Sequence, residues 1–308
     1  MIQESTATIV LDTLTTRKPL NNTHYSKDQR EKFAFIKHRY WSRYRTDMFQ
    51  LSNINIVRDN RTILSIEELT IPTDELTVVL GHNGSGKSTL VNLLSGQMSP
   101  DHGTVDFEGT SLSSFKSKEL AKKIAYLPQK LPASAGLTVE ELVRLGRFPW
   151  RGALGRWNSE DKSIIQQAME RTGVAEFSQA LADDLSGGER QRAWVSMLLA
   201  QQSPVLILDE PTSALDVHHQ FQLMGLLSKL NKKENVGVIV ILHDLNLALR
   251  YATHIVALKK GQIAFEGSAD KLLDEKALSA LYESPIRLID HPVPASTAAS
   301  EKVAVVCE

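Results

Sequence analysis

The chain has 308 residues, 42% of them hydrophobic, with 35 Lys and Arg against 36 Asp and Glu. That length and apolar content suffice for one large domain or two small ones, and a formal net charge of −1 excludes a global field that gathers nucleic acid or anionic membrane. The single cysteine, Cys307, excludes an intrachain disulfide and fits a reducing compartment, and no stretch approaches the roughly 18 apolar residues that span a bilayer.

Residues 1–47 are polar, lack periodicity and carry nine Lys/Arg against five Asp/Glu. Toward their end, Lys37-His38-Arg39-Tyr40-Trp41-Ser42-Arg43-Tyr44-Arg45 interleaves basic and aromatic side chains. Two readings stay open: an arm that touches lipid or RNA, or a disordered extension of a composition common in tails. The N-terminus lacks the apolar centre of a secretory signal. Met48 opens the first patterned segment and is an alternative translation start.

From Phe49 the pattern becomes regular. Phe49–Val57 alternates like a strand, and Thr77–Leu80 is a short apolar strand that runs into a glycine-rich loop. A helix is predicted over Lys87–Leu94, and mostly helical structure over about 139–200. Apolar strands return at Val205–Leu208 and Gly237–Leu242, each followed by a helix. This alternation predicts a parallel, doubly wound α/β sheet with a helical insertion. Ile255–Leu258 and Gln262–Phe265 read as a hairpin. From about His291 the chain is small and polar and is expected to fray.

Gly81-His82-Asn83-Gly84-Ser85-Gly86-Lys87-Ser88-Thr89 fits the phosphate-binding pattern G-x-x-x-x-G-K-[ST]. Glycines let successive N–H groups converge on phosphate oxygens, and the following helix adds its positive end. Lys87 is expected to reach the β/γ-phosphates, and Ser88 to hold magnesium. Val205-Leu206-Ile207-Leu208-Asp209-Glu210 ends an apolar strand in two carboxylates, at the sheet edge where open α/β sheets bind ligands. Asp209 fits a magnesium partner, and Glu210 a general base for water. His243, after another apolar strand, either contacts the γ-phosphate or is an ordinary strand-end histidine. Ser186, Gly187, Gly188 and Glu189 open a helix with Ser186 as its cap, a second anion site. Two phosphate-binding helix ends more than ninety residues apart make sense if one chain's second site completes another chain's first.

Taken together, these segments resemble the ATPase subunits of ABC transporters over roughly residues 49–290. Leu185–Gln191 is similar to the family signature, Gln129 to its Q-loop glutamine, Ser213-Ala214-Leu215-Asp216 to its D-loop and His243 to its switch histidine, all in family order. The resemblance implies an ABC ATPase domain over 48–290, built as a mostly parallel sheet flanked by helices. It further implies an N-terminal antiparallel β part and a helical subdomain at about 136–200, with 1–47 as an extension and 291–308 as a tail. It implies a head-to-tail homodimer in which ATP and Mg2+ lie between Gly81–Thr89 of one copy and Ser186–Glu189 of the other. Gln129 would join Ser88 and Asp209 at magnesium, Asp216 would couple the two sites, and no nucleic acid is involved. One position departs from the family: Arg58 stands where an aromatic usually stacks on adenine, either stacking its guanidinium or lying solvated at the surface.

A single cassette with no fused membrane segment resembles an importer subunit. Gly146-Arg147-Phe148-Pro149-Trp150-Arg151-Gly152-Ala153-Leu154-Gly155-Arg156 resembles iron–siderophore importers, ferric hydroxamate above all; other ferric siderophores, haem or cobalamin are the alternatives, and a soluble ABC protein without a transport role is a further one. That resemblance implies a separate integral membrane permease, a periplasmic or surface substrate-binding protein acting through it, and a place on the cytoplasmic face of the bacterial inner membrane. Removing residues 1–47 is expected to leave ATP turnover intact, which phosphate release by the truncated chain measures.

Overall fold

The computed structural model describes residues 48–152, 157–272, 274–291 and 302–307. The basic–aromatic run within 1–47 therefore lies outside the described residues, as do 153–156 of the run 146–156 and most of the C-terminal tail.

Apolar side chains at every second position drive the first layer. Met48–Arg58 (β1) pairs antiparallel with Arg61–Pro72 (β2) and with His102–Phe107 (β4), and Thr110–Ser111 (β5) completes the sheet in the order β2-β1-β4-β5. Alternation slips in β2 at Glu67 and Glu68 and, opposite them, in β1 at Asn53, which takes a φ of 53° where the pairing to β4 shifts register. This bulge returns Ile54 and Ile56 to the buried face.

The second layer is a six-stranded sheet ordered β10-β9-β3-β8-β7-β6. Its strands are Leu76–Leu80 (β3), Ile124–Leu127 (β6), Val205–Leu208 (β7), Gly237–Ile241 (β8), His254–Lys259 (β9) and Gln262–Ser268 (β10). All neighbours pair parallel except β10, which turns back on β9. Both faces are covered, so β3, β7 and β8 are buried at every position rather than alternating, with Thr77 of β3 the polar exception. Val79, Ile207, Ile239 and Ile241 face the antiparallel sheet and the helix Lys87–Leu94 (α1). Val78, Leu80, Leu206, Leu208, Val238 and Val240 face the opposite way, into a core shared with the remaining helices.

Those helices are Ser117–Lys123 (α2), Val139–Leu145 (α3), Phe148–Arg151 (α4), Ser159–Thr172 (α5), Gly187–Gln201 (α6), Val217–Glu234 (α7), Leu245–Tyr251 (α8) and Glu275–Tyr282 (α9). Capping boxes start α3 (Thr138 with Glu141), α5 (Asn158 with Asp161) and α6 (Ser186 with Glu189). The expected helical insertion is present as α3–α6. The C-terminal end departs from the expected fraying, because Lys302–Val306 (β12) pairs along all of Ile286–Asp290 (β11). Small, polar surroundings do not prevent a strand when a neighbouring strand offers an unpaired edge.

One ionic cluster ties the insertion together. The Asp161 carboxylate is fully buried and receives Arg147 Nε at 3.0 Å and Arg151 Nε at 2.7 Å. Arg147 also donates to the Ala200 carbonyl at 2.9 Å and to Gln202 Oε1 at 3.0 Å. Burial opposes the Asp161 charge, yet the two guanidinium groups and the Asn158 N–H hold its carboxyl below the ordinary range. Because the folded-state value is depressed, this contribution to stability is present at neutral pH and lost as the pH falls through that value. Asp161→Ala, which strands Arg147 without a counter-charge, is expected to cost about 3–5 kcal/mol. Arg171→Ala, at the exposed Arg171–Glu234 pair, is expected to cost at most about 1 kcal/mol; urea unfolding of both variants measures the contrast.

Candidate active site

Parallel pairing brings four strand ends to one edge. Leu127 lies opposite Leu208, Leu208 opposite Val240, and Val79 opposite Ile241. The residues that follow these strands therefore meet at the carboxyl edge of the sheet: Gly81–Thr89 after β3, Gln129 after β6, Asp209 and Glu210 after β7, and His243 after β8.

The loop between β3 and α1 depends on glycine. Gly81, Gly84 and Gly86 have φ of 142°, 76° and 101°, all outside the region that L side chains favour. At Gly81 steric space is decisive as well, since a Cβ would lie 2.3 Å from the Leu258 carbonyl oxygen. His82, Asn83 and Gly84 are exposed, whereas Ser85, Gly86 and Lys87 are buried. Lys87 Nζ donates to the carbonyls of Gly81 at 2.8 Å and His82 at 3.0 Å. Burial lowers its pKa, and the Glu210 and Asp209 charges offset part of that.

Ser88 and Thr89 open α1, and Ser88 Oγ donates to Asp209 Oδ1 at 3.3 Å. Asp209 is buried, and its N–H extends the β6–β7 ladder by bonding the Leu127 carbonyl at 2.9 Å. Burial pushes its carboxyl above the ordinary range, against the hydrogen bond from Ser88. The next residue, Glu210, turns out of the strand with a φ of 51°, a backbone state that costs energy for a side chain of this kind. Its carboxylate is clamped from two sides, by Gln129 Nε2 to Oε2 at 2.6 Å and by His243 Nε2 to Oε1 at 2.7 Å. The Ser88 hydroxyl and the Asp209 carboxylate bring together oxygens of the kind that hard divalent cations take. Asp209, a buried carboxylate whose nearby cation is itself drawn back onto its own loop, fits a magnesium ion.

The expected second anion site is the start of α6. Ser186 caps α6, and its Oγ and N–H both bond Glu189 Oε2, at 2.6 and 2.9 Å. Ser186 and Gly187 are exposed, and a Cβ on Gly188 would meet Leu215 and the Ala214 carbonyl rather than the phosphate loop. Asp216 caps α7 and accepts from His219 N at 2.9 Å and from His219 Nδ1 at 2.9 Å. Arg58 is half-exposed and spans to Asp101 at 2.9 Å, so its guanidinium is held in an ion pair at the surface. Phe148 is exposed, whereas Trp150 is only partly free, because its Nε1 donates to the Gln201 carbonyl at 2.7 Å.

Two neighbours of the site carried no signal in the sequence. The Tyr126 hydroxyl donates to Asn92 Oδ1 at 2.8 Å, and burial together with the Asp209 charge raises its pKa to about 12. Tyr282, at the end of α9, sets its ring edge against His82 of the phosphate loop, 5.6 Å between centroids. A tyrosine some two hundred residues from the loop it touches has no local pattern that marks it.

A glycine-lined phosphate cradle on a central strand, with adjacent strand-end carboxylates, defines a phosphate-loop nucleoside triphosphatase. The family described as ABC transporter matches residues 64–213. The chain is 41% identical over 229 residues to the ferric enterobactin transport ATP-binding protein FepC of Escherichia coli (strain K12), covering 74% of this chain and 84% of that one. It is 40% identical over 233 residues to the iron(3+)-hydroxamate import ATP-binding protein FhuC of Bacillus subtilis (strain 168), covering 76% and 87%. The dimeric structure of MJ0796, a bacterial ABC transporter cassette, superposes with a TM-score of 0.64 at 29% identity, covering 72% of this chain and 99% of that one. The chain belongs to the ABC transporter family, as an ATP-binding, ATP-hydrolysing cassette. No helix among the described residues is long and apolar enough to cross a membrane.

Gly81→Ala is expected to weaken binding of a fluorescent ATP analogue by about tenfold or more, a loss of roughly 1.4 kcal/mol. Gly84→Ala, where a Cβ meets nothing within 4 Å, is expected to lose less; titration of both variants checks the order.

Proposed function

We propose that this chain is the ATPase of an importer that takes up an iron–siderophore complex, ferric hydroxamate first, through a separate integral membrane permease. The observation that carries the hydrolytic reading is the Glu210 carboxylate, clamped by Gln129 and His243 one residue beyond the Ser88–Asp209 pair. Gly81, His82, Asn83, Gly84, Ser85 and Gly86 present backbone N–H groups to the phosphates, and Lys87 leaves its loop carbonyls for the β/γ-phosphoryl oxygens. Ser88, Asp209 and Gln129 hold magnesium, which when bound supplies charge neutralisation on those oxygens. Glu210 accepts the proton of the attacking water, and His243, which bonds Glu210, contacts the γ-phosphate.

The second anion site supports a head-to-tail homodimer. Ser186 and Gly187 are exposed, and Gly188 packs toward Ala214 and Leu215 of its own chain, so a second copy supplies the phosphate loop that this helix start faces. Asp216, in the adjoining segment, couples the two sites in this reading. Closure on ATP and reopening after hydrolysis move the permease between its two accessible states. Exposed Phe148 and Leu145, 54% and 49% accessible, suit the permease contact, because apolar side chains rimmed by charge mark binding surfaces. Docking there places the chain on the cytoplasmic face of the bacterial inner membrane, with a periplasmic or surface substrate-binding protein delivering cargo from the other side.

The cargo reading rests on the run Gly146–Arg156 and on the names of the relatives. Two of these, named for ferric enterobactin and for iron(3+)-hydroxamate, differ by one percentage point of identity, 41% against 40%. Both cargoes are iron–siderophore complexes, and residues 146–156 favour the hydroxamate. Glu210→Gln is expected to lower ATP turnover by at least about a hundredfold and to trap an ATP-bound dimer. Phosphate release and size-exclusion chromatography with ATP test this, and undiminished hydrolysis would refute the base assignment.

A further inference from the structure

The loop that carries His243 is held from outside the sheet. Asp244 Oδ1 caps the first turn of α8, accepting from Asn246 N at 2.7 Å and Leu247 N at 3.0 Å. Asn246 then turns its carboxamide to β12, where Nδ2 donates to the Ala304 carbonyl at 3.2 Å and Oδ1 accepts from Ala304 N at 2.8 Å. The amide thus stands in for one residue of a third strand, pairing both backbone groups of Ala304.

That contact is anchored. Ala304 and Leu288, which face each other across β11 and β12, pack against the core that also contains Leu247, Leu281 and Ile286. β11 is tied to α9 by the Leu288 N–H on Glu275 Oε1 at 2.8 Å and by the Ile286 N–H on Ser279 Oγ at 2.9 Å. α9 ends in Tyr282, whose ring touches His82; burial, with the Asp244 charge adding to it, raises its pKa to about 12. The C-terminal unit therefore contacts the phosphate loop at His82 and the first turn of the helix that follows His243 at Asn246.

We propose that the C-terminal hairpin is a positioning brace, in which the Asn246–Ala304 clasp holds His243 against Glu210 and thereby sets the rate of ATP hydrolysis without contributing to ATP affinity. This rests on the roles of Glu210 and His243 proposed above. The Asn246 side chain bonds Ala304 and not Glu210, so it acts through the seven-residue helix whose first turn follows His243.

Asn246→Ala and Ala304→Pro test the brace from its two sides. The Ala304 N–H points at Asn246 and not at β11, so proline there removes the clasp and leaves the ladder bonds between the two strands. In the full chain each variant is expected to lower kcat by about fivefold, the worth of one to two ordinary hydrogen bonds. KM and the Kd for a fluorescent ATP analogue are expected to stay within about twofold. The double variant should lose no more than the worse single one, because both remove the same contact. In a His243→Ala background neither variant should change kcat further, a result that general destabilisation does not produce. Wild-type kcat in both single variants, a loss in Kd instead of kcat, or a full multiplicative loss in the His243→Ala background would overturn the brace. Glu210→Gln measured alongside separates the two readings. Turnover surviving there removes the foundation, whereas abolished turnover there with wild-type kcat in the clasp variants removes the brace alone.

Discussion

The parallel ladder through β6, β7, β8 and β3 is the constraint on which the rest of the molecule depends. Parallel hydrogen bonding requires every strand to run the same way, so all four chain exits fall on one edge. The pairs Leu127–Leu208, Leu208–Val240 and Val79–Ile241 set these exits level. Residues as distant in sequence as Lys87, Gln129, Glu210 and His243 then come within reach of one triphosphate. Burial of the sheet on both faces makes the register costly to change, because a one-residue slip would turn one core's side chains into the other.

Burial also sets the electrostatics of the edge. Lys87 is drawn down and Asp209 pushed up by loss of water, so each is strained toward neutrality and each is offset by the other's charge. Glu210 differs because it leaves the strand through a left-handed turn and meets His243 and Gln129 at its rim. The position of Glu210 is thus a backbone property, and its orientation a property of two side chains from neighbouring strands.

The helical insertion has its own organising interaction, the buried Asp161 carboxylate between Arg147 and Arg151. It joins the segment after α3 to the start of α5 and, through Arg147, to the end of α6. The exposed Phe148 lies between the two arginines of this cluster.

Much of the site was legible in the sequence because its chemistry is local. The phosphate cradle takes positive φ at several closely spaced positions, Gly81, Gly84 and Gly86, so it writes glycines into one short stretch; a central parallel strand writes an apolar run, and its end marks the sheet edge. Helix caps are equally local, and Ser186 with Glu189 could be seen as a helix start. What the tertiary structure alone decided is which of these marks touch. Asp161 reads as an ordinary first-turn acid until Arg147 and Arg151 fold over it, and Arg58 reads as a possible stacking group until Asp101 takes it. Tyr282 on His82 and Ala304 on Asn246 join segments 200 and 58 residues apart. Backbone propensity acts over a few residues, whereas these contacts exist only once buried strands have brought distant segments together, so no local pattern could encode them.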